Sequence, residues 1–208
     1  MSNTTSHQQS SPQIHIPDEL VLVVKRECLF PEEAWHGIAS VDYHFYEQLI
    51  KTHQEFLPRV RMETDPRYKQ IIPYLIFRHE DQYFVMQRKT QASEQRLQGK
   101  LSLGIGGHIN PSDLEGATVM DWARREFIEE VDFEGTFDVK FLGILNDDSN
   151  EVGKVHAGFV FLLEGTSAQI LPREEFKSGS LMTLQECKEH YQRMESWSKM
   201  VIDLLSSQ

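Results

Sequence analysis

With 208 residues, 39% hydrophobic and 25% charged, the chain is long enough to bury one substantial core without disulfide or metal staples. A net charge of -11 argues against general affinity for nucleic acid or an anionic membrane face, and no apolar run approaches the roughly 18 residues of a membrane span. Two distant cysteines, Cys28 and Cys187, have no metal-type spacing and fit a reducing, cytoplasmic setting better than a disulfide framework.

In chain order, residues 1–17 are rich in Ser, Thr, Gln and Asn and read as a disordered tail. Residues 20–24 are a β-branched run expected to form a strand buried on both faces, ended by Phe30-Pro31. Asp42 to Phe56 has helical spacing through Phe45, Leu49 and Phe56, with Pro58 closing it. Residues 18–69 therefore read as an N-terminal extension packed on a main domain at 70–208. Whether they shape a pocket or form a homodimer contact stays open at this level. Residues 71–77 and 83–87 read as a hairpin, with Pro73 at an edge or bulge, and residues 91–100 as an exposed loop. Residues 101–105 form a short strand that runs into the turn Gly104-Ile105-Gly106-Gly107.

Thr118 and Asp121 match a capping box, opening a helix whose apolar stripe is Met120, Ala123, Phe127 and Val131. Within it, Arg125-Glu126-Phe127-Ile128-Glu129-Glu130 sets three carboxylates on one face, beside the stripe. Charges that close repel, and a hard divalent cation with oxygen ligands would reconcile them. Residues 137–145 and 156–163 read as strands separated by an acidic loop at 146–151. A second capping box, Thr183 with Glu186, opens a final helix ending near Leu205, with Met194, Trp197, Val201 and Leu204 on one face. The pattern is α/β: a mixed sheet sandwiched by helices.

The glycine turn and the carboxylate helix together resemble the signature of the Nudix (MutT-like) hydrolases. That signature runs Gly, five residues, Glu, seven residues, Arg-Glu-apolar-any-Glu-Glu-any-Gly-apolar. Gly107, Arg125, Glu126, Phe127, Glu129, Glu130 and Phe133 match it. The run Lys100-Leu101-Ser102-Leu103-Gly104-Ile105-Gly106-Gly107-His108-Ile109-Asn110 is similar to a branch described as predicted phosphoesterases. Two positions depart from the signature. Ala117 stands where the first glutamate belongs, behind a loop about four residues longer than the family spacing, and Asp132 replaces the late glycine. In the family that glutamate pairs with the arginine; here Asp113 or Glu115 could take over.

The resemblance implies a Nudix-type α/β/α sandwich from about residue 70 onward and a pyrophosphohydrolase or phosphoesterase activity. The substrate class is a small molecule, a nucleoside diphosphate linked to another moiety. Carried over by position, Glu126, Glu129, Glu130 and the Gly107 carbonyl would hold Mg²⁺ or Mn²⁺. Arg125 would orient the glutamates, and Glu129 would be the general base, with Asp147, Asp148 or Glu151 as an outside source. Arg88 and His108 are candidates for substrate contact. Trp122, Tyr74 and Phe159 could stack on a base, whereas His156 reads as a satisfied edge histidine. The alternatives are a non-catalytic Nudix-fold module that binds nucleotides or a protein, motivated by Ala117, and below it a Nudix-fold isomerase of isoprenoid diphosphates.

Overall fold

A computed structural model describes residues 18–89, 99–114, 118–173 and 176–207. The expected tail, most of the 91–100 loop, Glu115 and Ala117 lie outside them. The apolar run at 20–24 forms strand β1 (Leu20–Lys25), with Val21 to Val24 all buried. Helix α1 (Arg26–Leu29) and strand β2 (Gly37–Ala39) follow. Asp42 caps helix α2 (Tyr43–His53) by accepting the Phe45 N–H at 2.7 Å. The helix stops short of the expected Phe56. Gln54–Pro58 is strand β3, where Phe56 lies opposite Leu22 of β1. A ladder partner brought by the tertiary structure overrides the helical spacing there.

Helix α3 (Arg59–Met62) leads into the long strand β4 (Tyr68–His79), which turns through Glu80 and Asp81 into β5 (Gln82–Arg88). Two short strands, β6 (Leu101–Ser102) and β7 (Gly104–Ile105), stand where one was expected. Helix α4 (Val119–Glu130) has its capping box in place, with Thr118 and Asp121 bonded reciprocally. Then come β8 (Val131–Phe133), β9 (Phe137–Asn146), α5 (Glu151–Val155), β10 (His156–Gly165), β11 (Ile170–Pro172) and β12 (Phe176–Thr183). The second capping box opens only a short helix, α6 (Leu184–Glu189), and the last helix, α7 (Ser196–Ser206), starts afresh. The break has a cause in packing. Met194 bridges to Leu101, and Glu195 is buried among hydrogen bonds to Ser102 and Tyr74, so the chain is extended where a single helix would have continued. Among the described residues no helix is long and apolar enough to cross a membrane, and Cys28 and Cys187 are both free thiols.

The main sheet has the order β12-β5-β4-β10-β9-β2, with β1 and β7 also on β4. β4 and β10 run parallel, while their other neighbours are antiparallel, so the sheet is mixed. Parallel neighbours require a crossover, and this one carries α4 across one face of the sheet. Alternation along β4 sorts the core. Ile71, Leu75 and Phe77 join Val119, Trp122, Ala123 and Phe127 of α4, plus Tyr46 and Ile50 of α2. Tyr74 and Ile76 face Val201, Ile202 and Leu205 of α7. Phe77 and Phe127 stack with centroids 5.8 Å apart. The result is the expected helix–sheet–helix sandwich. Pro73 lies inside the central strand, opposite Phe159 of β10. Its other edge is locally unladdered, because pairing with β1 ends at Gln70 and pairing with β7 begins at Leu75. The missing N–H is tolerated in that gap.

Candidate active site

The gap beside Pro73 is where the glycine turn comes in. A Cβ on Gly106 would meet the Pro73 carbonyl oxygen at 2.4 Å, so the turn lies directly on the strand backbone. A Cβ on Gly107 would fall 2.5 Å from Oε1 of Glu126. The carboxylate of Glu126, only 8% exposed, therefore rests against bare main chain. Helix α4 is pinned to the same turn from the other side. The Asp113 carboxylate accepts the Asn110 N–H at 2.7 Å, the Asp113 carbonyl accepts the Trp122 indole N–H at 2.6 Å, and Asp113 Oδ2 lies 3.1 Å from Nη2 of Arg125. Asp113 thus supplies the arginine partner that Ala117 cannot. Arg125 also reaches Glu126 at 3.6 Å and Glu129 at 2.7 Å, so one guanidinium spans three carboxylates.

Glu126, Glu129, Glu130, Arg125 and Gly107 line one wall of a cleft of about 780 Å³. The lining also takes residues from the N-terminal segment and from β10. There Arg59 pairs with Glu19 at 2.8 Å and with Glu63 at 3.3 Å. His108 and His156 stand beside them with their Nε2 atoms 3.4 Å apart. Burial, then the positive Arg59, then His156 push His108 down to about 2, so its imidazole is neutral. His156 is not on a sheet edge as expected. It opens β10 between β4 and β9, is 6% exposed, and its Nδ1 donates to the Val152 carbonyl at 2.7 Å.

Of the residues singled out from sequence, Glu126, Glu129, Glu130, Gly107, Arg125 and His108 share this cleft. Arg88 ends β5 opposite Phe176, and its side chain is outside what is described. The acidic loop divides. Asp147 is buried and accepts from Ser149 and Asn150, and Asp148 is held by Arg26 and Lys69, so of the three acids only Glu151 lines the cleft. Trp122 and Phe159 are core residues, while Tyr74 lines the cleft with its hydroxyl bonded to Glu195. The aromatic that sequence reasoning left on a helix face is Trp197, which reaches the cleft and stands edge-on to Tyr74 at 5.2 Å. Glu19, Arg59, Glu63 and Lys100 were also missed. All four are ordinary surface types in sequence; no motif marks Glu19, Arg59 or Glu63, and Lys100 opens the Lys100–Asn110 run without being singled out there.

The carboxylate wall is rich in oxygen donors, which suit a hard cation. Among the described residues, Glu63, His108 and His156 bring three ligand atoms within 4.8 Å of one another.

Tm1382, whose crystal structure is described as that of a putative Nudix hydrolase, is 30% identical to this chain, covers 91% of it with 99% of its own length, and superposes with a TM-score of 0.74. The chain belongs to the Nudix hydrolase family. No protein-family model matches the sequence. YmaB of Bacillus subtilis (strain 168) is 35% identical to this Nudix protein over 204 residues, spanning 90% of this chain and 98% of its own. DR0079 from Deinococcus radiodurans shares the fold at 17% identity and a TM-score of 0.52, over 74% of this chain and 90% of its own. The Nudix signature thus falls at the glycine turn and α4, which carries Glu126, Glu129 and Glu130. Asp132 sits in β8, just after α4 gives way to an extended Val131.

Proposed function

We propose that this Nudix hydrolase cleaves the phosphoanhydride bond of a nucleoside diphosphate linked to another group, with Mg²⁺ or Mn²⁺ held by Glu126, Glu129, Glu130 and the Gly107 carbonyl. The observation that carries the reading is the seating of the Glu126 carboxylate on Gly107, on one cleft wall with Glu129 and Glu130. That donor set consists of oxygens alone, as a hard cation prefers. Such an ion, when bound, neutralises diphosphate charge and acidifies water. The chain's own residues do the rest. Arg125 holds Glu126 and Glu129 in place through charge-assisted contacts, and Asp113 anchors Arg125 to the loop. Glu129 is the proton acceptor we favour, with Glu151, which also lines the cleft, as the alternative. Lys100 and His108 face the space a diphosphate would fill, and Trp197 offers a surface for a base.

The test is purified protein with Mg²⁺ or Mn²⁺ and a panel of dinucleoside polyphosphates, nucleotide sugars, dNTPs and coenzymes, scored for phosphate-bearing products. Glu129→Gln and Glu130→Gln are expected to lower turnover by about 10²–10⁴-fold while leaving the fold intact. Silence of wild type and both variants, with a nucleotide still raising the melting temperature, would instead establish a binding module.

A further inference from the structure

The second cluster in the cleft is chemically unlike the glutamate wall. Glu63 follows α3, His108 follows the glycine turn and His156 opens β10, so three distant parts of the chain each deliver one ligand atom, all within 4.8 Å of one another. The 3.4 Å between the two Nε2 atoms is long for an N–H···N hydrogen bond. It matches the separation of about 3.3–3.4 Å between two nitrogens bound tetrahedrally at ~2.0–2.1 Å to one ion. A carbonyl can only accept, so the 2.7 Å contact from His156 to Val152 places a proton on Nδ1 and leaves the Nε2 lone pair aimed at His108. A histidine held through its other nitrogen in this way is the outer-shell arrangement of metal ligands. Arg59 Nε donates to one oxygen of Glu63 at 3.3 Å and steadies that carboxylate in turn. With Glu19 on the same guanidinium, two carboxylates face one cation, and the local charge stays negative.

We propose that Glu63, His108 and His156 form a second metal site, which takes a borderline divalent transition ion of the Zn²⁺ class in preference to Mg²⁺. Two imidazoles and one carboxylate favour such an ion over the hard cations that carboxylates alone select. Three protein ligands in an open cleft leave a fourth position for water or a substrate oxygen. The site would also fasten α3, the glycine turn and β10 together. It does not rest on the phosphoanhydride reading.

The experiment is titration of metal-stripped, full-length protein with Co²⁺ under excess Mg²⁺, followed by its visible d–d bands, then displacement by Zn²⁺. One equivalent of Co²⁺ with the intense bands of a four-coordinate ion is expected, displaced by Zn²⁺ and retained in Glu129→Gln and Glu130→Gln. Glu63→Gln and His108→Asn, checked for native circular dichroism, should weaken it by more than the about 10–100-fold that loss of an outer-shell partner costs. His156→Ala is the less useful variant, because that ring is buried and its loss threatens the fold. Absence of Co²⁺ binding above the Mg²⁺ background would overturn the proposal. So would bands unchanged in both folded variants, or bands lost on substituting Glu129 or Glu130, which would move the ion to the helix.

Discussion

Between Gly107 and Glu126 there is no room for a methyl group, since a Cβ would fall 2.5 Å from Oε1 and 2.8 Å from the carboxyl carbon. The clashing atoms are the tip of a flexible side chain, not backbone, so Gly107→Ala should shift the carboxylate and spare the fold. The expected outcome is a stability change within about 1 kcal/mol and Mn²⁺ affinity down about 10–100-fold. Denaturant midpoints and Mn²⁺ titration read the two separately, and unchanged affinity would remove Gly107 from the ligand wall. Asp113 makes the complementary point about substitution. A loop carboxylate from a neighbouring position reaches the same arginine, so the motif's missing glutamate leaves no gap in the ion network.

Elements, once placed, are tied together by a few buried charges. Lys69, fully buried on β4, donates to Asp148 at 2.9 Å and to the carbonyls of Gly153 and His156. Asp148 also takes a two-pronged contact from Arg26 at the start of α1. Burial would raise the Asp148 carboxyl, but hydrogen bonds from Arg26, Asn146 and Lys69 outweigh it and hold it well below the usual carboxylate range. A depressed folded pKa adds stability that is present above the unfolded value, about 3.9, and is lost as pH falls from there toward the folded value. Asp148→Asn should therefore lose about 2 kcal/mol or more at neutral pH, because Lys69 keeps its burial without its counter-charge. The variant should also lose less additional stability than wild type on moving to about pH 3. Denaturant melts at both pH values check this, and parallel acid losses would contradict it. At this scale the acidic loop is a clamp between α1, β4 and β9, with Ser149, Asn150 and Glu151 lining the cleft.

For the whole molecule, the N-terminal segment is woven into the sheet. β1 pairs with β4, β2 pairs with β9, and the Leu22 N–H donates to the Ile109 carbonyl at 2.8 Å beside the glycine turn. The same segment brings Glu19, Arg59 and Glu63 to the cleft. Removing residues 1–69 would expose the buried partners of Leu22, Val24 and Ile50 and strip one wall from the site, each such side chain contributing about 1.5–3 kcal/mol of burial. The fragment 70–208 is expected to lack a cooperative thermal transition by circular dichroism. A sharp, native-like melt would mean instead that the extension is an accessory.

Sequence by itself determined the parts of this protein that rest on local rules. The capping boxes at Thr118 and Thr183, the apolar stripe of α4 and the apolar strand runs depend on residues within a turn or two of one another, and periodicity and capping chemistry read them directly; the Nudix signature is likewise confined to one contiguous stretch. Only the tertiary structure decided what depends on distant partners. Gln54–Pro58 became a strand because β1 lay alongside it, and the last helix broke because Glu195 was drawn into a buried hydrogen-bond cluster. The pairing of Glu63 with His108 and His156 exists because strand order brings residues about fifty to a hundred apart in sequence into one cleft. No local spacing encodes such a meeting, since it follows from which strands become neighbours once the shared core is closed.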